Sequence, residues 1–442
     1  MRTFSIGGIN TPAYKFSEDR PIQVIPPPET VVIALGQHIG APATAVVAKG
    51  DKVKVGTLIG KAEGFVSSNV HSSVSGTVTK VDNALDGAGI AHPAVYIKTE
   101  NDEWEPTIDR SDTIIKECDL SSAEIIQKID TAGVVGMGGA AFPTKVKLSP
   151  PPGNKAEVLL INAAECEPYL TCDDRLMVEK GEQIMVGATI LMKAINVDRA
   201  VIGIEINKPQ AISILKRLSS VYKGIEIMPL KIAYPQGGEK QLIEAALRRE
   251  VKSGALPIST GTIVHNVGTV YAVYEAVQKN KPLIERVVTI TGKNVANPSN
   301  FLTRIGTPVS VLIEAAGGFP DNTGKIIRGG PMMGKAMINA DSTVTKGSSG
   351  FLLMTKEESL RRPMRDCIRC TKCTNACPMG NQPYLLMKLT ENKLWDEAEK
   401  NHILDCIECG SCTYSCPANR PILDHVRLGK STVMGIARTR KS

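Results

Sequence analysis

Eight cysteines between Cys367 and Cys416 constrain this chain more than any other feature. They fall in two groups of one spacing, Cys367, Cys370, Cys373, Cys377 and Cys406, Cys409, Cys412, Cys416, each closed by a proline, Pro378 or Pro417. In a C-x2-C-x2-C-x3-C-P run one short loop supplies three thiolates to a cubane and the fourth cysteine reaches the other cubane. Written twice, the run predicts two 4Fe-4S clusters, one on Cys367, Cys370, Cys373 and Cys416, the other on Cys406, Cys409, Cys412 and Cys377. Structural zinc takes two ligand pairs across a longer loop, and disulfides need an oxidising compartment, so both fit the spacing less well. Cys118, Cys166 and Cys172 follow no pattern and read as packed thiols. Between the two groups, Leu385, Leu386, Leu389, Leu394, Trp395 and Ala398 recur at helical intervals. The period predicts a helical ferredoxin-type module rather than one built on hairpins.

A chain of 442 residues exceeds one ordinary core and points to several domains. With 42% hydrophobic and 22% charged residues it reads as globular. The net charge of +7 would suit nucleic acid, but aromatics at 4% are too scarce for modules that stack on bases. No nucleic-acid partner is expected. The best apolar window, Ile184 to Val197, is short and holds Lys193, so no bilayer span is expected. Cytoplasmic location is expected from the absence of a leader pattern and from thiols that must stay reduced until cluster assembly.

In chain order, short β-branched runs cut by glycines fill the first hundred residues: Val31 to Leu35, Ala45 to Val47, Val53 to Ile59 and Val74 to Val78. They predict a compact barrel or sandwich. Residues 101–120 are polar and read as a linker. Ser122–Thr131 looks helical and leads into GVVGMGGAAFPTKVKLSPPPG (133–153), where Gly136, Gly138 and Ala141 satisfy G-x-G-x-x-G/A. A helix rather than a strand precedes it, so a structural turn and a cofactor loop both stay open. From 156 to 290 the pattern alternates: strand 156–164, helix 182–196, strand 200–206, helix 209–223, strand 226–234, helix 238–249. Such alternation predicts an α/β layer with a largely parallel sheet, whose ligands bind beyond the strands' carboxyl ends. That rule points to 162–170, with Glu165 and Glu167, and to 234–240, with Tyr234, Gly237 and Glu239. Two carboxylates two residues apart serve acid–base chemistry, a metal, or simply a solvated turn. Residues 286–340 read as a small β-grasp-like domain, with GGPMMG (329–334) as a tight turn and 341–350 as a loop opening toward the cluster module. The end, 426–442, carries Arg427, Lys430, Arg438, Arg440 and Lys441; it suits either an anionic lipid surface or a disordered basic terminus.

Two resemblances follow. VVAKGDKVKVGTLIGKAEGFVSSNVHSSVSGTVTKV (46–81) resembles the biotinyl and lipoyl carrier fold without its carrier lysine; Asn69, Val70, His71 and Ser72 stand at the hairpin tip, and His71 is read as a surface turn residue. GMGGAAFPTKVK (136–147), NAAECEP (162–168), YPQGGE (234–239) and HNVGT (265–269) resemble, in order, the flavin and NADH site of the 51 kDa subunit of respiratory complex I, and 286–340 is similar to the soluble-ligand-binding β-grasp (SLBB) domain that follows it there. With the cluster motifs, the whole chain resembles the C-subunit family of Rnf electron-transport complexes. The resemblance implies a multidomain α/β fold: a barrel-sandwich hybrid (1–105), an FMN/NADH-binding α/β domain (120–284), an SLBB-like β-grasp domain (285–345) and a double 4Fe-4S module (355–442).

It further implies noncovalent FMN held by Gly136, Gly138, Lys147, Asn162, Tyr234, Gly237, Asn266 and Thr269 with Glu165 nearby, and NAD(H) contacts at Phe142, Glu167 and Glu239. No protein nucleophile is implied. Met137, Ala164 and Gly238 replace an arginine, an aspartate and an acidic residue of complex I, and Pro150 stands where a second aromatic would flank NADH. The implied setting is the cytoplasmic face of the cell membrane, as a peripheral subunit beside the iron-sulfur B subunit and the integral membrane subunits A, D, E and G, with ferredoxin at the far end and Na+ or H+ export. Rival readings are a flavin/iron-sulfur cobalamin reductase, which would lack the barrel-sandwich start, and a relay or scaffold subunit whose nucleotide site is eroded.

Overall fold

Hydrophobic alternation and glycine turns build the first layer. In the computed structural model, which describes residues 1–440, strands Thr30–Ala34, Ala91–Thr99, Gly76–Leu85 and Lys52–Val53 form one antiparallel sheet, and Thr44–Ala45, Leu58–Lys61 and Val70–His71 form a second. Val31, Ile33, Val78, Val95 and Ile97 point into the sandwich core. The run Val53 to Ile59 is cut in two at Gly56, whose φ of +97° favours glycine. His71 is not a surface turn residue: it is 6% exposed in a strand, and burial, with Lys346 second, pushes its imidazole down to about 3.

Strands Ile225–Leu230, Ala200–Glu205, Val158–Ala163 and Thr262–Asn266 make a four-stranded parallel sheet in that order. Every residue of Ala200–Glu205 is buried, as a parallel strand covered on both faces requires. One face packs against Gly181–Ala194 and Val267–Gln278 in a core continuous with the barrel. The other packs against Glu239–Leu247. Ser122–Thr131 opens on a capping box in which Ser121 and Glu124 exchange hydrogen bonds, and it delivers the chain to the glycine loop.

The β-grasp unit is a mixed six-stranded sheet in the order Gln23–Val24, Ser299–Arg304, Glu285–Thr291, Gly350–Thr355, Thr323–Arg328, Lys335–Met337. It thus takes a strand from each side of the predicted segment. Residues 341–350 do not open toward the cluster module. Thr343 donates to the Val32 carbonyl at 2.9 Å, Gln37 accepts from the Lys346 amide at 2.9 Å, and the Lys346 ammonium reaches the Asn69 and Gly133 carbonyls, so the segment locks onto the barrel and the glycine loop.

Helices Pro383–Glu391, Trp395–Lys400 and Ile422–Thr439 carry the cysteine loops on a core of Leu386, Met387, Ala398, Ile403, Val426 and Val433. The basic terminus is therefore not disordered as far as Arg440. Leu423, Val426 and Val433 give it a buried stripe, and Arg440 pairs with Asp396 and Glu399 at 2.6 and 3.0 Å. Lys441 lies outside the described residues. No helix among them is long and apolar enough to cross a membrane.

Candidate functional site

Four segments meet at the carboxyl edge of the parallel sheet. The Thr269 hydroxyl accepts from the Met137 amide at 2.8 Å, and the buried Arg286 guanidinium donates to the Met137 carbonyl at 3.3 Å, which pins the glycine loop from two sides. Asn266 caps Val267–Gln278 by accepting from the Gly268 amide at 2.8 Å. A Cβ on Gly138 would lie 3.1 Å from Asn266 Cβ, so the loop crosses tight against that cap. Asn162 donates to the Gly237 carbonyl at 2.8 Å, and the Gly237 amide faces Cys166 Sγ at 3.3 Å. Lys147 donates to Glu239 at 2.7 Å and to the Val264 carbonyl at 3.0 Å. Gly136, Gly138, Lys147, Asn162, Gly237, Glu239, Asn266 and Thr269 thus share one rim. The Gly136 amide donates to the Phe142 carbonyl at 2.8 Å, which closes the loop on the half-buried Phe142.

The rim suits an anionic planar ligand. Gly138 and Gly139 are exposed, Gly139 at φ +128° has no atom within 4 Å of a would-be Cβ, and Lys147 supplies a cation beside the cap of a helix N-terminus. His265, 3% exposed, is pushed down to about 3 by burial and then by Lys147, and its Nε2 lacks a partner among the described residues.

Glu165 and Glu167 turn to other tasks. Glu165 accepts the Asp173 and Asp174 amides at 2.8 and 3.1 Å, at the start of Cys172–Glu179. Asp173 in turn accepts from Asn266 at 2.6 Å; burial and then the neighbouring Glu165 raise its carboxyl above the usual range. Glu167 accepts the Met332 and Met333 amides at 3.2 and 2.7 Å from the GGPMMG turn. A Cβ on Gly330 would come within 2.1 Å of Glu167 Oε2, so this approach requires glycine. Tyr234, 1% exposed, lies 3.3 Å from Glu167, and its hydroxyl donates to the Cys409 carbonyl at 2.8 Å. Sequence reasoning missed Asp173, Cys166 and Lys15. Lys15, 150 residues from Glu165, donates to the Glu165 and Glu167 carbonyls at 2.9 and 3.0 Å, and nothing local to it signals that role.

Cys377, Cys406, Cys409 and Cys412 line one cavity, walled by Pro378, Leu386, Ile407, Leu423 and Val426. The Cys412 thiol is pushed up to about 12 by burial and then by Cys406, Cys409 and Cys377. Four thiolates packed so closely need cationic metal between them, so the donor set fits an iron-sulfur cluster. In the other set, Cys373 and Cys416 are half-buried neighbours, and Cys367 and Cys370 stand exposed.

Comparison with known proteins gives the class first. Residues 129–275 match the Nuo51 FMN-binding domain and 366–421 a 4Fe-4S dicluster domain, so this is a flavin and iron-sulfur protein of electron transport. Residues 3–102 match the RnfC barrel sandwich hybrid domain and 287–336 the SLBB domain. The chain is 46% identical to the C subunit of the proton-translocating ferredoxin:NAD(+) oxidoreductase complex of Clostridium ljungdahlii, covering 98% of this chain and 94% of that one. It is 41% identical to the Na(+)-translocating counterpart of Acetobacterium woodii, covering 98% of each. The chain belongs to the C-subunit family, RnfC, of ion-translocating ferredoxin:NAD(+) oxidoreductase (Rnf) complexes. A chain of NAD+-reducing [NiFe]-hydrogenase in the H2-reduced state shares the fold over 71% of this chain and 62% of its own, at TM-score 0.50 and 19% identity.

Proposed function

We propose that this chain is the peripheral subunit through which an ion-translocating ferredoxin:NAD+ oxidoreductase exchanges electrons with NAD(H), by way of FMN at the glycine-loop rim and two 4Fe-4S clusters. The observation that carries the reading is the Tyr234 hydrogen bond to the Cys409 carbonyl, which seats one cysteine set against the flavin domain. Bound there, FMN supplies the conversion of a two-electron hydride into single electrons, and the clusters carry them. The protein's own residues bind and orient. The exposed backbone of Gly138 and Gly139 and the Lys147 ammonium, shared with Glu239, suit the phosphate; Asn162, Gly237 and Asn266 line the remaining edge. Neutral His265 adds no charge. Tyr234 and Glu167 hold the seam to the cysteine cavity at fixed distance. The set Cys377, Cys406, Cys409 and Cys412 is then proximal to the flavin, and the set Cys367, Cys370, Cys373 and Cys416 distal. Attachment to the membrane at its cytoplasmic face would come through partners, the B subunit and the integral membrane subunits A, D, E and G.

Anaerobically prepared protein should contain about eight irons and one FMN per chain, and its visible spectrum should bleach with NADH. Protein lacking flavin, or holding fewer than about four irons, would sink the reading. The relay alternative draws on a specific observation: Glu167 and Glu239, two expected nicotinamide contacts, already hold the Met332–Met333 turn and Lys147. Full cluster and flavin content with no response to NADH would favour it.

A further inference from the structure

Six lysines and arginines among the described residues are buried. Arg175, Lys208, Lys279 and Arg420 each pair with a carboxylate, at 2.8, 3.8, 2.6 and 3.0 Å. The other two, Arg286 and Lys346, form no ion pair among the described residues, and both end on carbonyls at the glycine loop, those of Met137 and Gly133. The acids that face Arg286 are the Cys172 thiol and the Asp173 carboxyl; burial raises both above their usual range, so neither neutralises the guanidinium in full. A buried charge left unpaired is destabilising. Here the excess positive charge is gathered behind one loop.

The two Nη atoms of Arg286 lie 3.4 and 3.3 Å from the Met137 carbonyl oxygen, and the same side chain reaches the Lys346 carbonyl. That Met137 carbonyl belongs to one peptide group with the Gly138 N–H. The peptide is trans, since the one cis bond among the described residues is Tyr234–Pro235. Its C=O and N–H therefore point to opposite sides, and the N–H is turned away from Arg286. Gly138 is exposed, and its N–H has no hydrogen-bond partner among the described residues. A cation on the carbonyl polarises the peptide and strengthens the donor on the far side. A doubly charged oxyanion gains most from such a donor and offsets the buried charge; a neutral hydroxyl gains little. We propose that Arg286, on the β-grasp sheet, is a positioning residue that works through the Met137–Gly138 peptide to select phosphorylated flavin, FMN, over riboflavin. Lys147 does not supply that selection alone, because Glu239 shares it at 2.7 Å. The inference rests on FMN being held at the glycine-loop rim.

The test uses the full chain with its clusters, freed of flavin by dialysis, and the variants Arg286→Gln and Arg286→Lys. FMN and riboflavin are the two probes, and binding is read from the quenching of flavin fluorescence. The unaltered chain should bind FMN about tenfold or more tightly than riboflavin. Arg286→Gln should lose about tenfold or more in affinity for FMN and keep its affinity for riboflavin. Arg286→Lys keeps the charge but not the planar fork, and should fall between the two on FMN with riboflavin again unmoved. A residue that only held the loop in shape would move both flavins alike, so equal losses overturn the proposal. FMN affinity unchanged in Arg286→Gln overturns it too. If Arg286→Gln does not fold, Arg286→Lys decides: it must weaken FMN and leave riboflavin unaffected. An unaltered chain that binds FMN no better than riboflavin defeats the seating of the phosphate on the loop, and the proposal with it. A preference for FMN that survives in the variants defeats the proposal alone.

Discussion

Lys346 shows how far a single side chain can act from its place in sequence. It is 1% exposed, has no carboxylate partner among the described residues, and donates to carbonyls of the barrel and of the chain just before the glycine loop, at 2.7 Å for Gly133. Burial pushes its amine down to about 7 from 10.5. Between those values the unfolded chain binds a proton that the folded chain does not, so stability rises as pH climbs through that window. Below about 7 both states are protonated, and the penalty is constant. The nearby His71, already neutral, adds no titration there. Against Lys346→Met, the unaltered protein should therefore gain about 1 kcal/mol or more in relative stability from pH 7 to pH 10, measured by denaturant midpoints. A flat difference would mean that the ammonium is not held in a desolvated site. No sequence pattern announces this lysine, because its partners Asn69 and Gly133 lie more than 200 residues away. His71 does not read as buried for a related reason: the charge that acts on it, Lys346, comes from the far end of the sequence. The cysteine runs stand out because their spacing is a local property, each lying within one short stretch of chain.

At the scale of elements, periodicity carried most of the fold. Three strands of the parallel sheet and the helices assigned between them match the alternation to within a few residues at each end, since a doubly covered sheet demands continuous apolar strands, whereas the edge strand Thr262–Asn266 and the helix Cys172–Glu179 carry no assignment in the sequence reading. The last helix was harder to read. Its cations suggested a free terminus, yet Leu423, Val426 and Val433 pack under Pro383–Glu391 and Trp395–Lys400. The crossing turns on Gly429, where a Cβ would lie 2.3 Å from Thr390 Oγ1 and 2.7 Å from Ile403 Cδ1. Gly429→Leu should overpack this contact at a cost of about 1–3 kcal/mol. The prepared protein would lose iron while retaining FMN. Gly435→Leu, in the same helix but with no atom within 4 Å of its Cβ, should be neutral or slightly stabilising because leucine is the better helix former. Similar iron loss in both variants would place the effect in the helix itself and not in the crossing.

At the scale of the whole molecule, the first two dozen residues tie the domains together. Arg2 bridges to Leu230 and Ile9 to Tyr234 on the α/β domain, and Gln23–Val24 adds a parallel edge strand to the β-grasp sheet. Between them the Gly8 amide donates to the Ala376 carbonyl at 3.1 Å, beside Cys377. The N-terminal segment and Gln241, which donates to the Pro378 carbonyl at 3.1 Å, thus both reach the Cys377 loop, while Tyr234 holds the loop of Cys409. Gly7 is the tight point: its φ is +68°, and a Cβ would fall 2.4 Å from the Cys377 carbonyl oxygen. Gly7→Val adds a backbone strain of about 1–2 kcal/mol to a clash with a main-chain atom that cannot rotate away. Gly50→Val separates the two effects, because Gly50 has φ +98° with no atom within 4 Å of its Cβ. Both variants should lower the thermal midpoint. Only Gly7→Val should displace the Cys377 loop from the flavin domain, slowing NADH-driven reduction of the clusters in stopped flow while flavin bleaching keeps its rate. If the two variants reduce their clusters equally fast, the N-terminal segment contributes stability alone, and the seam is held from the Tyr234 side.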